Sequence, residues 1–261
     1  MGTEYSIKVV PPELLANTSG ITQTALAQEI EQRLQDFNQR MSTYIDDSEL
    51  SLLNQAEVGA WLPLSPMMAE VLQISHRVYE QSEGAFDITV GPLVNLWGFG
   101  PQARDTTPTE REINESREYV GMHHVALEHD LLRKNATVYM DLSAVAKGFA
   151  TDVVARALEA HDLHNYMVEI GGELKIRGRN PRGQTWVIGI EKPTFGHSGA
   201  VQALTGDNIA IATSGDYRNY YEQDGKRISH TIDPVSGKPI DHTLVSVTVV
   251  TAEGGYADAY A

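Results

Sequence analysis

Residues 141–158 read DLSAVAKGFATDVVARAL, and they lie where a helix-rich first half of the chain gives way to a strand-rich second half. Just before and within this stretch, Val138, Met140 and Leu142 alternate with polar neighbours, which predicts a strand. The small and aliphatic residues that follow recur at helical spacing and predict one buried helix face: Ala146, Ala150, Val153, Val154, Ala157 and Leu158. The stretch therefore predicts a strand that runs directly into a helix.

The flanking segments extend this pattern in both directions. Upstream, apolar residues three and four apart predict a helix over 24–41, and Ser65-Pro66 supplies the N-cap and first-turn proline of a helix that stops near Gly84. The polar stretch 101–118 predicts a surface excursion with a short helix. Downstream, strands are predicted at 166–177, 186–191, 200–204, 208–213, 227–232 and 243–251. Helices first and strands later predict an α+β fold.

The composition of the 261 residues excludes several classes of function. A formal net charge of −15 repels phosphate backbones, so we expect no nucleic-acid partner. There are no cysteines, which excludes disulfides, thiolate metal sites and a cysteine nucleophile. No apolar run approaches the roughly 20 residues of a membrane helix.

The start of the helix after Asp141 is a candidate phosphate site. Free backbone N–H groups and a partial positive charge at a helix N-terminus suit an anion, and Lys147 and Gly148 lie in the first turn. The alternative is a capped helix with a surface lysine. This segment alone favours that alternative, because it matches no nucleotide-binding motif.

The stretch 212–240 concentrates polar side chains around an Asp224-Gly225 turn. Five of these side chains could converge on a polar ligand: Ser214, Asp216, Arg218, His230 and Asp233. Histidine is the natural general base near neutral pH, which makes His230 a candidate for that role. Strand alternation places it with Ile232, on the opposite face from Asp233, so Asp233 is not necessarily its partner. The alternative is a structural strand histidine.

Four further features have a structural and a functional interpretation. The glycines in Glu169-Ile-Gly-Gly-Glu173 indicate either close approach of a ligand or a bulge. Trp97 and Phe99 could line a ring-binding pocket, although a core position is favoured for Trp97. Asp258 is either an N-terminal helix charge or a ligand for a hard cation such as Mg²⁺. The histidines His123, His124 and His129 lack the spacing of a metal pair on a helix and are interpreted as surface residues.

Taken together, these segments resemble one family, the ApbE-type flavin transferases, or FAD:protein FMN transferases. The matching segments recur in order along the whole chain: Met1-Gly2-Thr3 with Tyr5, Met41-Ser42-Thr43-Tyr44 with Ser48-Glu49, 84–100, Asp141-Leu142-Ser143 with Ala146-Lys147-Gly148, 169–173, 186–191, 213–219, 229–234 and Ala257-Asp258. The resemblance implies a T-fold-related α+β domain over residues 1–261, with helices flanking an antiparallel sheet and two fused subdomains.

The resemblance also implies an activity and its residues. Such enzymes use Mg²⁺ and FAD and transfer FMN to a threonine hydroxyl of an acceptor flavoprotein, releasing AMP. Tyr44 would pack on the isoalloxazine ring, and His230 would help to deprotonate the threonine. The other flavin-nucleotide contacts would be Met1, Ala85, Phe86, Asp87, Asp141, Lys147 and Ile232. The Mg²⁺ ligands would be the carbonyl of Ala144 and the carboxylate of Asp258.

The resemblance further implies a location, partners and a continuation of the fold. Family members are exported to the periplasm and anchored to the inner membrane by a lipidated N-terminal cysteine, which this sequence lacks. Acceptors would be flavoprotein subunits such as those of membrane NADH:quinone or related electron-transfer complexes. A threonine four residues after Asp258 would also bind the metal. That position falls past Ala261, so we expect the C-terminal part of the fold to be missing from this sequence.

Two alternative functions remain open at this point. A metal-dependent FAD pyrophosphatase would use the same pocket, with water in place of threonine, and would release FMN and AMP. A flavin-binding or storage protein would hold FAD without turnover. An assay with an acceptor separates the first alternative, and binding compared with turnover separates the second.

Overall fold

The computed structural model describes residues 2–11, 21–100, 106–191, 200–215, 220–223 and 226–261. The chain divides into two compact units, one made of Met1–Asn38, Val145–Gly215 and Ser246–Ala261, the other of Gln39–Ala144 and Asp216–Val245. The α-helices of the described residues are α1 (Gln23–Met41), α2 (Glu49–Gln55), α3 (Pro66–Gln81), α4 (Gly91–Leu96), α5 (Glu110–Arg117), α6 (Ala146–Glu159) and α7 (Gly254–Tyr260). A short 3₁₀ helix spans Met122–His124.

The first unit is built on a five-stranded antiparallel sheet. Its strands, in spatial order, are β1 (Tyr5–Val9), β5 (Tyr166–Ile170), β6 (Glu173–Arg177), β9 (Ile209–Gly215) and β14 (Ser246–Thr251). Helix α6 packs on β5 and β6 with α7 beside it. A separate antiparallel pair joins β7 (Trp186–Glu191) to β8 (Ala200–Gly206). The apolar core formed by these strands contains Met167, Ile176, Trp186, Ile188 and Ile211.

The second unit holds a small antiparallel sheet and two hairpins. The sheet has the order β2 (Trp61–Pro63), β4 (Leu131–Lys134), β3 (Val125–Glu128). The hairpins pair β10 (Tyr220–Gln223) with β11 (Lys226–Ser229), and β12 (Ile232–Asp233) with β13 (Lys238–Pro239). Leu93, Trp97, Ile113 and Ile232 form a buried cluster. The two units together confirm the α+β prediction.

The helix predictions upstream are confirmed. Helix α1 covers the predicted 24–41 almost residue for residue. Ser65 caps α3 by accepting a hydrogen bond from the Met68 backbone N–H, and Pro66 lies in its first turn. Among the described residues, no helix combines the length and the apolar character needed to cross a membrane.

The strand predicted at 138–142 is wrong as a strand. The three apolar side chains are buried, as alternation required, but the backbone has no strand ladder and makes one isolated bridge between Tyr139 and Val90. The side chain of Asn54 takes the place of a neighbouring strand. Its amide donates to the Met140 carbonyl at 2.9 Å and accepts from the Met140 N–H at 2.8 Å. A side chain 86 residues away in sequence therefore satisfies the backbone that a ladder would have paired.

The segment predicted as one strand at 166–177 is a hairpin. Strands β5 and β6 pair antiparallel, with Ile170 opposite Glu173, so Gly171 and Gly172 form a two-residue turn rather than a bulge. Both glycines have positive φ, +62° and +107°. Only glycine adopts such angles in succession without strain, which is why the pair occurs here.

Candidate functional site

Three ionisable side chains meet in the first unit, and we call them the lysine–carboxylate cluster: Lys147, Glu173 and Asp258. Lys147 is in the first turn of α6, Glu173 is the first residue of β6, and Asp258 lies in α7. The Lys147 Nζ is 2.8 Å from Glu173 Oε1 and 3.5 Å from Asp258 Oδ1. The Glu173 and Asp258 side chains are only 6% and 8% exposed.

One ammonium therefore faces two buried carboxylates. Burial, reinforced by the charge of Asp258, raises the pKa of Glu173 to about 7. Burial also raises the pKa of Asp258, against the opposing effect of Lys147. Burial alone would lower the pKa of Lys147, but the two carboxylates reverse this and raise it. Glu173 Oε2 is buried and has no hydrogen-bond partner within the part of the chain that the structure describes.

Asp258 occupies the helix start that the sequence offers as an anion site. Its Oδ2 accepts a hydrogen bond of 2.8 Å from the Gly148 N–H, in the first turn of α6. The interpretation of Asp258 as an N-terminal helix charge is wrong, because α7 begins at Gly254 and Asp258 is in its second half. The carboxylate instead neutralises the N-terminus of a different helix.

The hairpin turn at Gly171 packs against the lysine side chain. A Cβ atom at Gly171 would lie 3.1 Å from Lys147 Cδ and 3.0 Å from Thr3 Oγ1. The Gly171 N–H donates to the Glu4 carbonyl, which ties the turn to the segment before β1. The turn glycine thus lets the backbone approach the side chains of Lys147 and Thr3 closely.

In the second unit, Asp87 organises a buried turn. Its Oδ1 accepts from the Thr89 N–H and hydroxyl at 2.7 and 2.6 Å, and its Oδ2 accepts from the Met122 N–H at 3.2 Å. Burial raises the pKa of Asp87 in spite of these hydrogen bonds. Both oxygens thus have protein partners, and the flavin contact that the resemblance implies for Asp87 stays a prediction.

The residue predicted to stack on the flavin ring has the exposure that such a role needs. Tyr44 is 70% exposed in the turn after α1, and its N–H donates to Ser42 Oγ. Further along the same unit, Asp141 accepts from the N–H and hydroxyl of Ser143, and Ala144 is exposed. The Asp141 carboxylate closes a local turn. Ala144, whose carbonyl is a predicted Mg²⁺ ligand, lies at the surface of the unit.

His230 does not continue a strand. Strand β11 ends at Ser229 and β12 begins at Ile232, so the predicted strand over 227–232 is interrupted. Ser229 and Ile232 are both buried, a spacing of three that breaks the predicted alternation. The His230 ring lies edge-on to Phe99, with centroids 6.3 Å apart. His230 therefore lies between two strands and not within one.

Asp233 has its own structural task. Its carboxylate accepts from the Val235 and Ser236 backbone N–H groups at 2.9 and 3.2 Å, which forms the turn before β13. These hydrogen bonds contribute to lowering its pKa against the effect of burial. The sequence-based reservation about pairing Asp233 with His230 is therefore consistent with the structure.

The remaining predicted contacts among the described residues belong to the second unit. Ile232 is buried there, and Trp97 lies in the core as favoured, with its indole N–H donating to the Gly237 carbonyl at 2.9 Å. Phe86 is partly buried and Ala85 is exposed, in the turn after α3. Met1, Asp216 and Arg218, all singled out from the sequence, lie outside the described residues.

The sequence did not reveal the roles that two acidic residues have in the structure. Glu173 was noticed only as part of a glycine motif, and its pairing with Lys147 bridges 26 residues. Asp152 was not singled out, although a charged residue on the otherwise apolar face of α6 was a visible signal. The described part of the chain contains no group of three His, Cys, Asp or Glu side chains that could hold a metal. Of the three histidines predicted as surface residues, His123 and His129 are exposed and His124 is partly buried.

Comparison with known proteins identifies the class of protein to which this fold belongs. The fold matches the flavin transferase ApbE from Vibrio cholerae with a TM-score of 0.90 at 44% identity, over 99% of this chain and 82% of that one. The architecture is thus that of a flavin transferase. The ApbE family model matches residues 1–261, and the chain belongs to the ApbE family.

Curated relatives carry one functional name. A protein of Vibrio cholerae named FAD:protein FMN transferase is 45% identical over 263 residues, covering 100% of this chain and 77% of that protein. A Haemophilus influenzae protein of the same name is 45% identical over 268 residues, covering 99% and 76%. The similarity to proteins with this name therefore extends over essentially the whole length of this chain.

Proposed function

We propose that this protein transfers FMN from FAD to a threonine hydroxyl of an acceptor flavoprotein and releases AMP, in an Mg²⁺-dependent reaction. The observation that carries the proposal is the similarity over the whole chain to proteins named FAD:protein FMN transferase. The described residues add an exposed aromatic ring, a histidine outside the strand ladder and a lysine–carboxylate cluster at a helix start.

The reaction is a phosphoryl-group displacement. The threonine oxygen attacks the phosphorus of the FMN half of FAD, and the bond from this phosphorus to the bridging oxygen breaks. AMP leaves with the bridging oxygen, and a phosphoester joins FMN to threonine. His230 takes the threonine proton, since a hydroxyl is a poor nucleophile at neutral pH; positioned bases contribute about 10² to 10⁴ in rate.

FAD is held as a substrate by residues of ordinary binding chemistry. Tyr44 offers an open aromatic face for the isoalloxazine ring, and stacked aromatic pairs contribute about 1 kcal/mol beyond burial. The Lys147 ammonium is the cation in the cluster that an anionic phosphate would contact. The contacts carried over from the resemblance at Ala85, Phe86, Asp87, Asp141 and Ile232 complete the proposal.

The residues fit a hard divalent cation in their donor chemistry. Asp258 Oδ2 accepts from the Gly148 N–H, and Oδ1 lies 3.5 Å from the Lys147 ammonium. Carboxylate and carbonyl oxygens are the ligands that Mg²⁺ prefers, and the proposed ligands are Asp258 and the carbonyl of Ala144. When bound, Mg²⁺ would neutralise charge on the pyrophosphate.

The proposal includes a cellular setting. We place the full-length protein in the periplasm, attached to the inner membrane through a lipid anchor, with flavoprotein subunits of membrane NADH:quinone or related electron-transfer complexes as acceptors. The support is the family resemblance. Fractionation of cells that express the full-length protein tests the location.

The test is a flavinylation assay with the purified chain, FAD, Mg²⁺ and an acceptor domain. We expect covalent flavin fluorescence on the acceptor in a denaturing gel. His230→Ala should bind FAD with unchanged affinity and lose transfer by at least about 10²-fold, whereas His164→Ala, at an exposed histidine, should remain active. Free FMN and AMP without a labelled acceptor would identify a pyrophosphatase. Binding without turnover would identify a flavin-binding protein. Normal transfer by His230→Ala would refute the assignment of the base.

A further inference from the structure

Helices α6 and α7 are joined at two levels by hydrogen bonds between a carboxylate and backbone N–H groups. At one level, Asp258 of α7 accepts from the Gly148 N–H of α6. At the other, Asp152 of α6 accepts from the N–H groups of Gly254 and Gly255, at 2.8 and 3.0 Å, in the first turn of α7. Gly148 and Asp152 are four residues apart on α6, and Gly254 and Asp258 are four apart on α7. The two pairs therefore face each other in reverse order, as a reciprocal clamp.

Asp152 is built into this clamp and has little contact with solvent. The residue is 7% exposed, and each of its oxygens accepts one N–H of α7. Burial raises its pKa, while the Gly254 and Gly255 N–H groups oppose the rise. Because the capping residue Glu253 makes no side-chain hydrogen bond to the helix, Asp152 supplies from α6 the cap that α7 lacks locally.

Between the two levels of the clamp, helices α6 and α7 leave no room for a side chain at Gly148 or Gly254. A Cβ atom on Gly148 would collide with the Gly254 carbonyl oxygen, and a Cβ on Gly254 would collide with the Gly148 carbonyl oxygen. The two backbones therefore approach each other directly at these glycines, beside the side chains of Asp258 and Thr151. A displacement of the α7 N-terminus must move Asp258, one helical turn along.

The chain that enters α7 is held from the sheet as well. Lys175 of β6 donates from its ammonium to the carbonyl of Ala252, two residues before the helix. The charge of Asp152 acts on Lys175 in the direction of a higher pKa, although burial lowers that pKa overall. Asp152 therefore acts electrostatically on both the start of α7 and Lys175, and Glu159 and Glu253 act on Lys175 in the same direction.

We propose that Asp152 is a positioning residue for Asp258: by fixing the first turn of α7, it holds the Asp258 carboxylate where it can bind Mg²⁺. The inference rests on the metal ligand assigned under the proposed function. Asp152 touches neither the metal nor FAD in this role, and it acts through the position of α7. Residues that orient metal ligands in this way typically contribute 10- to 100-fold in metal affinity.

The test is calorimetric titration of the protein with Mg²⁺ alone, in the absence of FAD and acceptor. Asp152→Asn keeps the size of the side chain but replaces one acceptor with a donor that faces a backbone N–H. We expect Mg²⁺ to bind about 10- to 100-fold more weakly. The matched control is Ser65→Ala, which removes a helix cap of the other unit. It should lower the unfolding temperature and leave the Mg²⁺ affinity unchanged. If Asp152 had only a structural role, its variants would show the same result.

A second variant keeps the inference testable if Asp152→Asn does not fold. Asp152→Glu retains the charge but displaces the carboxylate by one methylene, so Mg²⁺ should again bind more weakly. Unchanged Mg²⁺ affinity in a folded Asp152 variant would overturn the inference, as would a wild-type protein that does not bind Mg²⁺. If the wild type transferred flavin and an Asp152 variant bound Mg²⁺ like the wild type, the proposed function would stand and the inference would be refuted. Weakened Mg²⁺ binding without any transfer by the wild type would refute the function and keep the inference.

Discussion

At the scale of single residues, the Lys147 ammonium is shared by two carboxylates that burial has removed from water. The shorter contact goes to Glu173 and the longer one to Asp258. One cation cannot fully compensate two buried anions, so the cluster favours a proton on one of them or a further cation. This excess of negative charge is a property of three side chains and does not follow from the net charge of the chain.

Glu173 should therefore make stability depend on pH. Its folded pKa of about 7 lies above its ordinary value of 4.5, so the folded state binds this proton more tightly than the unfolded state. The resulting stabilisation is fully present below pH 4.5 and is lost as pH rises through about 7, on the order of 2 to 3 kcal/mol in total. Glu173→Gln should lack this fall. Urea unfolding at about pH 5 and about pH 8 measures the difference.

A matched control is Glu128→Gln, which removes an exposed carboxylate in β3. It should show the same dependence of unfolding free energy on pH as the wild type. If Glu173→Gln also followed the wild-type curve, the buried carboxylate would not carry the pH dependence assigned to it.

Tyr44 should matter for binding and not for folding. Because its ring is 70% exposed, Tyr44→Ala should change the free energy of unfolding by no more than about 0.5 kcal/mol. Loss of the ring should weaken FAD binding by roughly 10-fold, the equivalent of about 1.4 kcal/mol. Fluorescence titration of FAD measures this. Tyr119→Ala, also at an exposed tyrosine, should bind FAD like the wild type, and equal affinity of both variants would contradict the stacking role.

At the scale of secondary-structure elements, the direct contact between α6 and α7 is the feature on which the cluster depends. Gly148→Ala adds a methyl group where the Gly254 carbonyl already lies. Alanine is favoured over glycine in a helix by about 1 kcal/mol, but overpacking against rigid backbone costs about 1 to 3 kcal/mol. We expect net destabilisation of up to about 2 kcal/mol and weaker Mg²⁺ binding, measured by chemical unfolding and by calorimetry.

The contribution of helix propensity to the effect of Gly148→Ala can be measured separately. Ala27→Gly, on the exposed face of α1, changes helix propensity without a packing contact and should cost about 1 kcal/mol. Stabilisation by Gly148→Ala, with the sign that propensity alone gives, would mean that the two helices do not touch as described.

At the scale of the whole molecule, FAD should stabilise the folded chain by mass action. A ligand that binds only the folded state adds about 2.7 kcal/mol at 100 times its dissociation constant. For a chain of this size, that corresponds to a rise in unfolding temperature of roughly 5 to 10 °C. Scanning fluorimetry with FAD, and with FMN and AMP singly as controls, measures the shift. The absence of any shift at saturating FAD would contradict the assignment of FAD as substrate.

Much of the fold was predictable because its signals are local. Helix α1 follows from apolar residues three and four apart, and the start of α3 follows from Ser65-Pro66. The segment at 138–142 was predicted with the correct buried side chains but the wrong secondary structure. The backbone of Met140 is hydrogen-bonded to the side-chain amide of Asn54. No sequence pattern near Met140 predicts this contact.

The candidate site divides in the same way. Lys147, Asp258 and His230 could be singled out from their residue types and motifs, whereas the partners of Asp152 and Glu173 could not be predicted. The hydrogen bond from Gly148 to Asp258 spans 110 residues, and that from Gly254 to Asp152 spans 102. Patterns of period two or 3.6 carry no information on contacts at such separations.

The sequence by itself determined the helix faces, the cap of α3 and the ordered motifs that resemble a flavin transferase, because each depends on residues that are neighbours along the chain. Only the tertiary structure decided which carboxylate meets which N–H group and which share one lysine. The physical reason is that desolvation and charge pairing arise when distant segments close over one another. Asp258 is an ordinary acidic residue until α6 and α7 meet, and a buried anion at a helix N-terminus afterwards.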